Sequence, residues 1–369
     1  MAYGTISADV IQSSVSGVSL GAGNATVFKN RIINGDMRID QRNAGASLAV
    51  GSNFFVAYCL DRWSPLATGS KYSVQQNAGS VTPPVGFSNY LGCTSNSAYS
   101  LAAGDYFGIG QRIEGFNFAD LGWGTANAKT ITISAWVYSS LTGTFGGAIA
   151  NNAQNRSYPF TYSIPTANTW TQISVTIAGD TSGTWVGATN GVGLNLYFGI
   201  GVGTTYSGTA GAWAAANYVS ATGAVSVVST NAATWYVTGV QLEVGSSATG
   251  FEYVDYTTQL AMCQRYYETM AAAGSSPNGI TFSASVYANG ATAAGIPLFF
   301  KVTKRTAPTM ACTSNTVIRF ISNLGVTNNV TVAFPYSSTE LSTISSVGTF
   351  AVSYGWCDNF GTFTASAEL

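Results

Sequence analysis

The chain has 369 residues and a net charge of −1 at pH 7, and only 8% of its residues are charged. No basic patch is long enough to follow a nucleic-acid backbone, so nucleic-acid binding is not expected. The chain contains no histidine, which excludes Ser-His-Asp and Cys-His catalysis and any His-ligated metal site within it. With 46% hydrophobic residues and 42 glycines, the composition favours an all-β protein with many tight turns over a disordered chain.

Residues 1–28 are rich in Ser, Gly, Ala and Val, and Asp9 is their only charged residue. They lack the basic start and continuous apolar core of a signal peptide. Such a segment has little to bury against itself. We therefore expect an extended arm that docks onto a neighbouring subunit or a partner, and the alternative is that it lies along its own domain.

Residues 29–256 contain runs of alternating apolar and polar residues, separated by clusters of Gly, Ser and Asn. The clearest runs are 130–138, 170–177, 194–200 and 235–244. The alternation in the last run slips once at Gly239, which indicates a β-bulge. Two sheets of such strands packed face to face predict a jelly-roll β-sandwich over 29–256.

The spacing of Leu260, Cys263 and Tyr267 (i, i+3, i+7) predicts a short linking helix within residues 257–276, with Asp255 or Thr257 as its cap. Residues 277–369 are expected to form a second, C-terminal β-domain. Its strand-like runs are 280–286, 296–302, 330–334 and 350–354, and the alternating end at 362–369 predicts a final strand. No apolar run is long enough to span a membrane.

Five cysteines form no CxxC pair, and their odd number argues against a disulfide framework. We expect them to be reduced and buried, as in a protein made in a bacterial cytoplasm.

Three tryptophans that lie among Gly, Ala and Thr are expected to be exposed and to offer stacking faces to a receptor sugar: Trp123, Trp185 and Trp213. Three others, Trp136, Trp170 and Trp235, fall inside strand patterns and are expected in the core. Lys301, Lys304 and Arg305 form the densest basic cluster, which suits an acidic sugar or simply ends a strand at the surface.

Without histidine, a carboxylate pair is the remaining common catalytic arrangement, as in glycosidases. No spacing marks a pair among six acidic candidates of the N-terminal half, Asp36, Asp40, Asp61, Asp105, Glu114 and Asp120. These side chains are expected to cap turns or to pair with arginines. We therefore predict no catalytic residues and no enzyme activity.

Five sequence motifs lie near the ends of residues 29–267: the run from Asn34 to Arg42 (NGDMRIDQR), Asp61-Arg62-Trp63, the run from Val240 to Gly245 (VQLEVG), Phe251-Glu252-Tyr253, and the run from Cys263 to Tyr267 (CQRYY). Together they resemble a family of bacteriophage and prophage tail-fibre proteins whose jelly-roll domain is similar to carbohydrate-binding modules. The resemblance implies a virion structural protein, a tail fibre or spike that attaches to a glycan or an outer-membrane protein of the host. The alternatives are a capsid-attached fibre or decoration protein, and a polysaccharide-degrading enzyme.

The resemblance also implies a homotrimer on the tail or capsid surface of the virion, made in the host cytoplasm and attached to other virion proteins through residues 1–28. We expect Met262, Tyr266 and Tyr267 at or near a subunit interface. Similar jelly-roll modules often carry a structural calcium ion, and Asp36 and Glu243 occupy corresponding places. The alternative is that Asp36 stabilises the Asn34-Gly35 turn and that Glu243 pairs with an arginine; no other cofactor is expected.

Overall fold

The computed structural model describes residues 11–12, 19–20, 29–271, 293–312, 318–322, 327–347, 355–359 and 362–369. The predicted docking arm therefore lies outside the described residues except for two short strands. The chain divides into two compact units. The sandwich unit comprises Met1–Arg38, Gly45–Ala57 and Ser64–Val254, and the terminal unit comprises Ile39–Ala44, Tyr58–Trp63 and Asp255–Leu369.

The strands of the sandwich unit alternate between core-facing and outward-facing residues. In chain order they are β1 (Ile11–Gln12), β2 (Ser19–Leu20), β3 (Leu48–Ala49), β4 (Asn53–Phe54), β5 (Ser64–Ala67), β6 (Tyr72–Gln76), β7 (Leu91–Ser95), β8 (Tyr106–Glu114), β9 (Ile131–Ser139), β10 (Gly143–Ala150), β11 (Ser157–Ile164), β12 (Thr171–Ile177), β13 (Val192–Val202), β14 (Ser207–Gly208), β15 (Ser220–Ala221) and β16 (Thr234–Val244). Short 3-10 turns occupy Ala78–Ser80, Gly115–Asn117, Ala119–Leu121 and Thr204–Tyr206.

Two six-stranded antiparallel sheets make up the sandwich. The first sheet has the order β11-β10-β13-β8-β5-β4, and the second sheet has the order β12-β9-β16-β7-β6-β3. Their buried faces meet through aromatic pairs, with the rings of Phe198 and Trp235 5.6 Å apart and those of Tyr72 and Phe107 6.3 Å apart. Fully burying one such aromatic side chain contributes about 1.5–3 kcal/mol. This arrangement confirms the predicted all-β jelly-roll sandwich.

The predicted bulge lies in β16, as the slip in the alternation indicated. The pairing between β16 and β9 shifts register between Thr238 and Gln241. Gly239 adopts a φ of 61°, in the left-handed region that favours glycine. The bulge keeps Trp235 and Val237 before it, and Val240 and Leu242 after it, in the core.

The terminal unit contains the single α-helix among the described residues. Its elements are α1 (Tyr256–Gln264), β17 (Tyr267–Ala271), β18 (Ala293–Phe299), β19 (Thr309–Cys312), β20 (Ile318–Ser322), β21 (Thr327–Ser337), β22 (Leu341–Val347), β23 (Gly355–Asn359) and β24 (Thr362–Ser366). They form a three-stranded sheet, β17-β24-β19, and a five-stranded sheet, β18-β22-β21-β20-β23. The predicted strands at 280–286 and 350–354 lie outside the described residues.

The helix is capped as predicted but is shorter than predicted. The Asp255 side chain accepts a hydrogen bond from the backbone N–H of Thr258 at 3.0 Å. The prediction of helix beyond Gln264 is wrong, because the chain turns at Arg265 and enters β17 at Tyr267. Pairing of β17 with the final strand β24 replaces the helical hydrogen bonds there.

Among the described residues, no helix is long and apolar enough to cross a membrane. Three of the five cysteines have described side chains, and all three are buried thiols outside any disulfide: Cys59, Cys93 and Cys263. The expectation of reduced, buried cysteines holds for these three.

Candidate functional site

The three tryptophans predicted to be receptor contacts form one cluster at the loops of the sandwich unit. The ring centroid of Trp123 lies 4.8 Å from that of Trp185 and 5.2 Å from that of Trp213, and Trp185 and Trp213 are 5.6 Å apart. Each pair meets edge to face. The sequence therefore identified a real spatial group from residues scattered over three loops.

The indole N–H groups of this tryptophan cluster all donate to acceptors within the protein. Trp123 donates to the carbonyl of Lys129 at 2.8 Å, Trp213 to that of Ala178 at 2.9 Å, and Trp185 to the carboxylate of Asp180 at 3.2 Å. Trp123 is only 6% exposed, so the expectation that it is exposed is wrong. The cluster packs the loops together, and Trp185 and Trp213 remain half-buried at its edge.

An ion pair fixes the same loops. Arg156 donates to both carboxylate oxygens of Asp180, each at 2.7 Å. Asp180 is buried, yet its pKa is lowered, because the hydrogen bonds from Arg156 and the backbone outweigh the effect of burial. In this bidentate pair the positive charge of Arg156 and the negative charge of Asp180 neutralise each other.

The predicted basic cluster is not a continuous external surface. The Lys304 side chain is 0% exposed and donates to Glu268, itself 0% exposed, at 2.6 Å, and to the carbonyl of Gln264 at 2.5 Å. The prediction of Lys304 as a receptor contact is therefore wrong, since a buried ammonium cannot reach a ligand. Arg305 donates to the carbonyls of Ala367 and Glu368, whereas Lys301 is exposed.

Of the three residues predicted at a subunit interface, Tyr266 is fully packed within the terminal unit. Tyr266 is 0% exposed and stacks against the guanidinium of Arg62, 3.7 Å from its ring centroid. The prediction for Tyr266 is therefore wrong in this chain. Tyr267 stacks against Arg42 at 3.6 Å, and it and Met262 are half-buried, so an interface role for these two stays a prediction.

Parts of three of the motifs that carry the family resemblance lie in the terminal unit: residues 39–42, 61–63 and 263–267. Arg42 and Arg62 both pair with the carboxylate of Glu368, near the end of the chain. Asp61 accepts hydrogen bonds from the backbone and side chain of Gln41, each at 2.7 Å. Burial raises the pKa of Asp61 to about 6. Segments 39–44 and 58–63, assigned to the sandwich from sequence, thus belong to a buried ionic network with residues 255–369.

The calcium prediction does not fit the residues present. Asp36 pairs with Arg38, and burial raises the pKa of Asp36. Glu243 accepts hydrogen bonds from the side chain of Gln241 at 2.8 Å and from the backbone and hydroxyl of Thr249 at 2.8 and 2.7 Å. Throughout the described part of the chain, no group of three or more Asp, Glu, Cys or His side chains could hold a metal ion. Calcium needs six to eight oxygen ligands, so neither carboxylate offers a site.

The remaining acidic candidates have structural partners. Asp40 accepts from two backbone N–H groups of the turn that follows it, and Asp120 pairs with Arg31 at 2.8 Å. Asp105 accepts from the hydroxyl groups of Tyr99 and Thr68 and from the backbone of Ala102. Glu114 is buried at 1% exposure. Asp40, Asp105 and Asp120 therefore act in turns and ion pairs, as expected.

A surface that the sequence analysis missed lies on the outer face of the second sheet. In β9, Ile133, Ala135 and Val137 face the core, so Trp136 and Tyr138 face outward and are half-buried. Trp136 pairs across the strands with Gln172 of β12. Trp170, at the start of β12, contacts Tyr138 with ring centroids 5.4 Å apart. We call Trp136, Tyr138, Trp170, Gln172 and Ser174 the aromatic strip.

The aromatic strip differs from the tryptophan cluster in its unused polar groups. The indole N–H of Trp136, the hydroxyl of Tyr138 and the side chains of Gln172 and Ser174 have no hydrogen-bond partner within the described residues. Gln172 and Ser174 are exposed. Trp136 makes no aromatic contact there either, and its side chain is half-buried. The strip contains no Asp, Glu, Lys or Arg side chain.

Neighbouring rings hold Tyr138 in place. Its ring stacks on that of Tyr236, 5.1 Å away and inclined by 5°, and Tyr236 stacks on Tyr90 at 5.1 Å. Trp170 is fixed by its N–H, which donates to the carbonyl of Thr82 at 2.8 Å. The strip is thus a rigid apolar platform bordered by neutral donors and acceptors, the composition typical of a small-molecule binding site.

Alternation was the signal that could have found this strip. Trp136 lies one residue from Ala135 and Val137, so it cannot share their face. Of the three strand tryptophans predicted in the core, only Trp235 is there, at 0% exposure.

No family model and no curated protein sequence matches the chain. Among solved structures, it is similar to the enzymatically active domain of tailspike protein 4 of bacteriophage CBA120, with 12% identity over 59% of this chain and a TM-score of 0.31. The chain spans only 22% of that tailspike. A Bacteroides thetaiotaomicron protein named for sugar binding is 12% identical over 58% of this chain and 100% of its own, with a TM-score of 0.34. A family 11 carbohydrate-binding module of Clostridium thermocellum, in complex with a mixed-linked tetrasaccharide, is 13% identical over 55% and 98%, with a TM-score of 0.27. At such TM-scores the similarity carries no argument about function.

Proposed function

We propose that this chain binds neutral glycans through the aromatic strip of its second sheet. The observation that carries the proposal is Trp136, an outward-facing tryptophan whose ring and N–H have no partner in the described chain. Sugars present one face of C–H groups and a rim of hydroxyls. An indole ring buries the apolar face, and adjacent amide and hydroxyl groups replace the water bound to the rim.

The absence of Asp, Glu, Lys and Arg side chains from the strip supports a neutral ligand. A charged sugar would lose part of its hydration on this surface without gaining a counter-charge, which is unfavourable. The strip offers donors from Trp136, Gln172 and Tyr138 and acceptors from Gln172, Ser174 and Tyr138. Such groups match hydroxyls, which both donate and accept.

We further propose that the protein is a component of a phage fibre or spike that attaches to the host surface. The resemblance of the terminal motifs to tail-fibre proteins supports this role. The low charge and neutral polar surface of the chain fit glycan contact and close packing between subunits. On this proposal the protein is a homotrimer that docks onto the virion through residues 1–28.

A glycan array tests the binding proposal. Purified full-length protein is applied to neutral and acidic oligosaccharides, beside the variant W136A. We expect the wild type to retain a subset of neutral glycans and W136A to lose them. Binding restricted to acidic glycans, or binding that W136A leaves unchanged, would contradict the proposal.

Three assays separate the biological roles. The wild-type protein, and not W136A, should compete with phage that carry it for adsorption to host cells. Antibody labelling of virions should place the protein on the tail, and labelling of the head alone would favour a capsid-attached fibre. Incubation with the bound polysaccharide should leave its length unchanged, since a fall in polymer size would reveal the alternative enzyme activity.

A further inference from the structure

We infer that the aromatic strip binds the end of a glycan chain and does not accept an internal stretch. This inference rests on the proposed function and concerns the same site. It comes from the shape of the outer face of the second sheet, which is covered beyond Trp136 on one side and open on the other.

The covered side begins on β16, next to Trp136. Thr238 is the cross-strand neighbour of Trp136 and is 0% exposed. Its hydroxyl donates to the carbonyl of Asn89 at 2.7 Å. A sugar that lies on Trp136 therefore meets the covered position on β16, where no surface remains for the next unit of a chain.

The bulge that follows Thr238 is covered by a phenylalanine. A Cβ atom added to Gly239 would lie 2.6 Å from Cζ of Phe87, so the ring rests directly on the glycine backbone. Phe87 in turn contacts Phe251 and Tyr253, with ring centroids 5.1 and 5.7 Å away. Packed aromatic rings thus block continuation of a ligand across β16 at this point.

The next position along β16 is covered as well. Gln241, the partner of Ser134 on β9, is 0% exposed. Its side chain donates to Glu243 at 2.8 Å and accepts from the backbone N–H of Glu252 at 2.8 Å. The residues that follow the sandwich strands therefore extend the covered side along β16.

A row of aromatic residues, Trp170, Tyr138 and Tyr236, crosses the second sheet at one end of the strip. Tyr138 and Trp170 stand beside Trp136, and Tyr236 behind them is only 4% exposed. At the far end of this row a Cβ on Gly92 would lie 2.6 Å from Cβ of Ala78, so the 3-10 turn covers the sheet there too. The sheet is thus covered at the Gly92 end of this row.

The opposite side is open, because β12 is the edge strand of the second sheet. Its outward residues Gln172, Ser174 and Thr176 are all exposed. A ligand whose last sugar lies on Trp136 therefore leaves the protein over β12. The strip is closed at one end and open at the other, which is the geometry of terminal recognition.

The test uses short homo-oligomers of glucose, galactose, mannose and N-acetylglucosamine, each in three forms: unmodified, reduced to the alditol at the reducing end, and methylated on the terminal sugar at the non-reducing end. Competition against the glycan retained in the array experiment gives relative affinities for the wild-type chain. We expect one end modification to weaken binding about tenfold or more, which corresponds to losing one well-packed sugar, and the other to change it less than about twofold. Partial hydrolysis of the matching polymer should raise its potency per unit mass in proportion to the new chain ends.

Insensitivity to both end modifications, with potency per mass independent of polymer length, would overturn the inference while leaving glycan binding at the strip intact. If none of the four oligomer series competes and W136A binds the array like wild type, the proposed function itself fails and the inference fails with it. If modification of either end abolished binding to the same extent, the ligand would be fully enclosed. That result would also contradict the open side at β12.

Discussion

Replacing Lys304 with methionine should destabilise the terminal unit strongly. Lys304 and Glu268 are each 0% exposed, and the substitution removes both of the ammonium's hydrogen bonds. Glu268 is then left as a buried carboxylate, with only the long backbone contacts from Lys301 at 3.2 and 3.4 Å. Breaking a buried pair by removing one partner costs about 3–5 kcal/mol. For a unit of this size the melting temperature should fall by roughly 10 °C.

Thermal and urea unfolding of the full chain, followed by circular dichroism, measure this effect. The matched control is K301M, whose exposed side chain should change stability by less than about 0.5 kcal/mol. The double variant K304M/E268L should recover most of the loss, because no unpaired charge remains. If K304M unfolds like wild type and weakens host adsorption, the lysine is an exposed contact and the reasoning is wrong.

Three further predictions concern stability. Burial raises the pKa of Asp61 from 3.8 to about 6. The contribution of Asp61 to stability is therefore complete below about pH 4 and is lost as the pH rises through 6, a change of about 3 kcal/mol. D61N should flatten this dependence in unfolding measured from pH 4 to 7. Tyr197 has a buried hydroxyl without a hydrogen-bond partner, so Y197F should leave the free energy of unfolding in urea unchanged or raise it by up to about 1 kcal/mol, and a large loss would reveal a partner for that hydroxyl. Gly239 has a positive φ and lies under Phe87, so G239A should cost about 1–3 kcal/mol in the same assay, and an unchanged midpoint would argue against the bulge geometry.

The fold was predictable because alternating apolar and polar residues indicate β-strands. The run over β9 identifies the core face through Ile133 and Val137, and the slip at Gly239 marks the bulge. The end of the helix was not predictable in the same way. Tyr267 continues the helical spacing, and only its pairing with Ser366, far away in the sequence, makes it part of a strand.

The candidate site shows where residue type alone fails. Trp123 lies among glycine, alanine and threonine yet is packed among other rings, whereas Trp136 lies inside a strand pattern yet faces outward. Neighbouring loops decide this difference, and they come from distant parts of the chain. Lys304 was misjudged for the same reason, because its partner Glu268 lies before the segment in which the basic cluster was identified.

The affinity of W136A for the retained glycan is the measurement that tests the central claim most directly. A sugar ring that covers about 100 Å² of the indole contributes roughly 2 kcal/mol, so truncation should raise Kd about 30-fold by titration calorimetry. W136F should lose less, because it keeps an aromatic face, and W136A should unfold like wild type, because the ring has no aromatic partner among the described residues. The matched control W185A removes a tryptophan that packs the loops, and it should reduce stability without changing Kd. An unchanged Kd for W136A, together with a large increase for W185A, would contradict the account and place glycan binding at the tryptophan cluster.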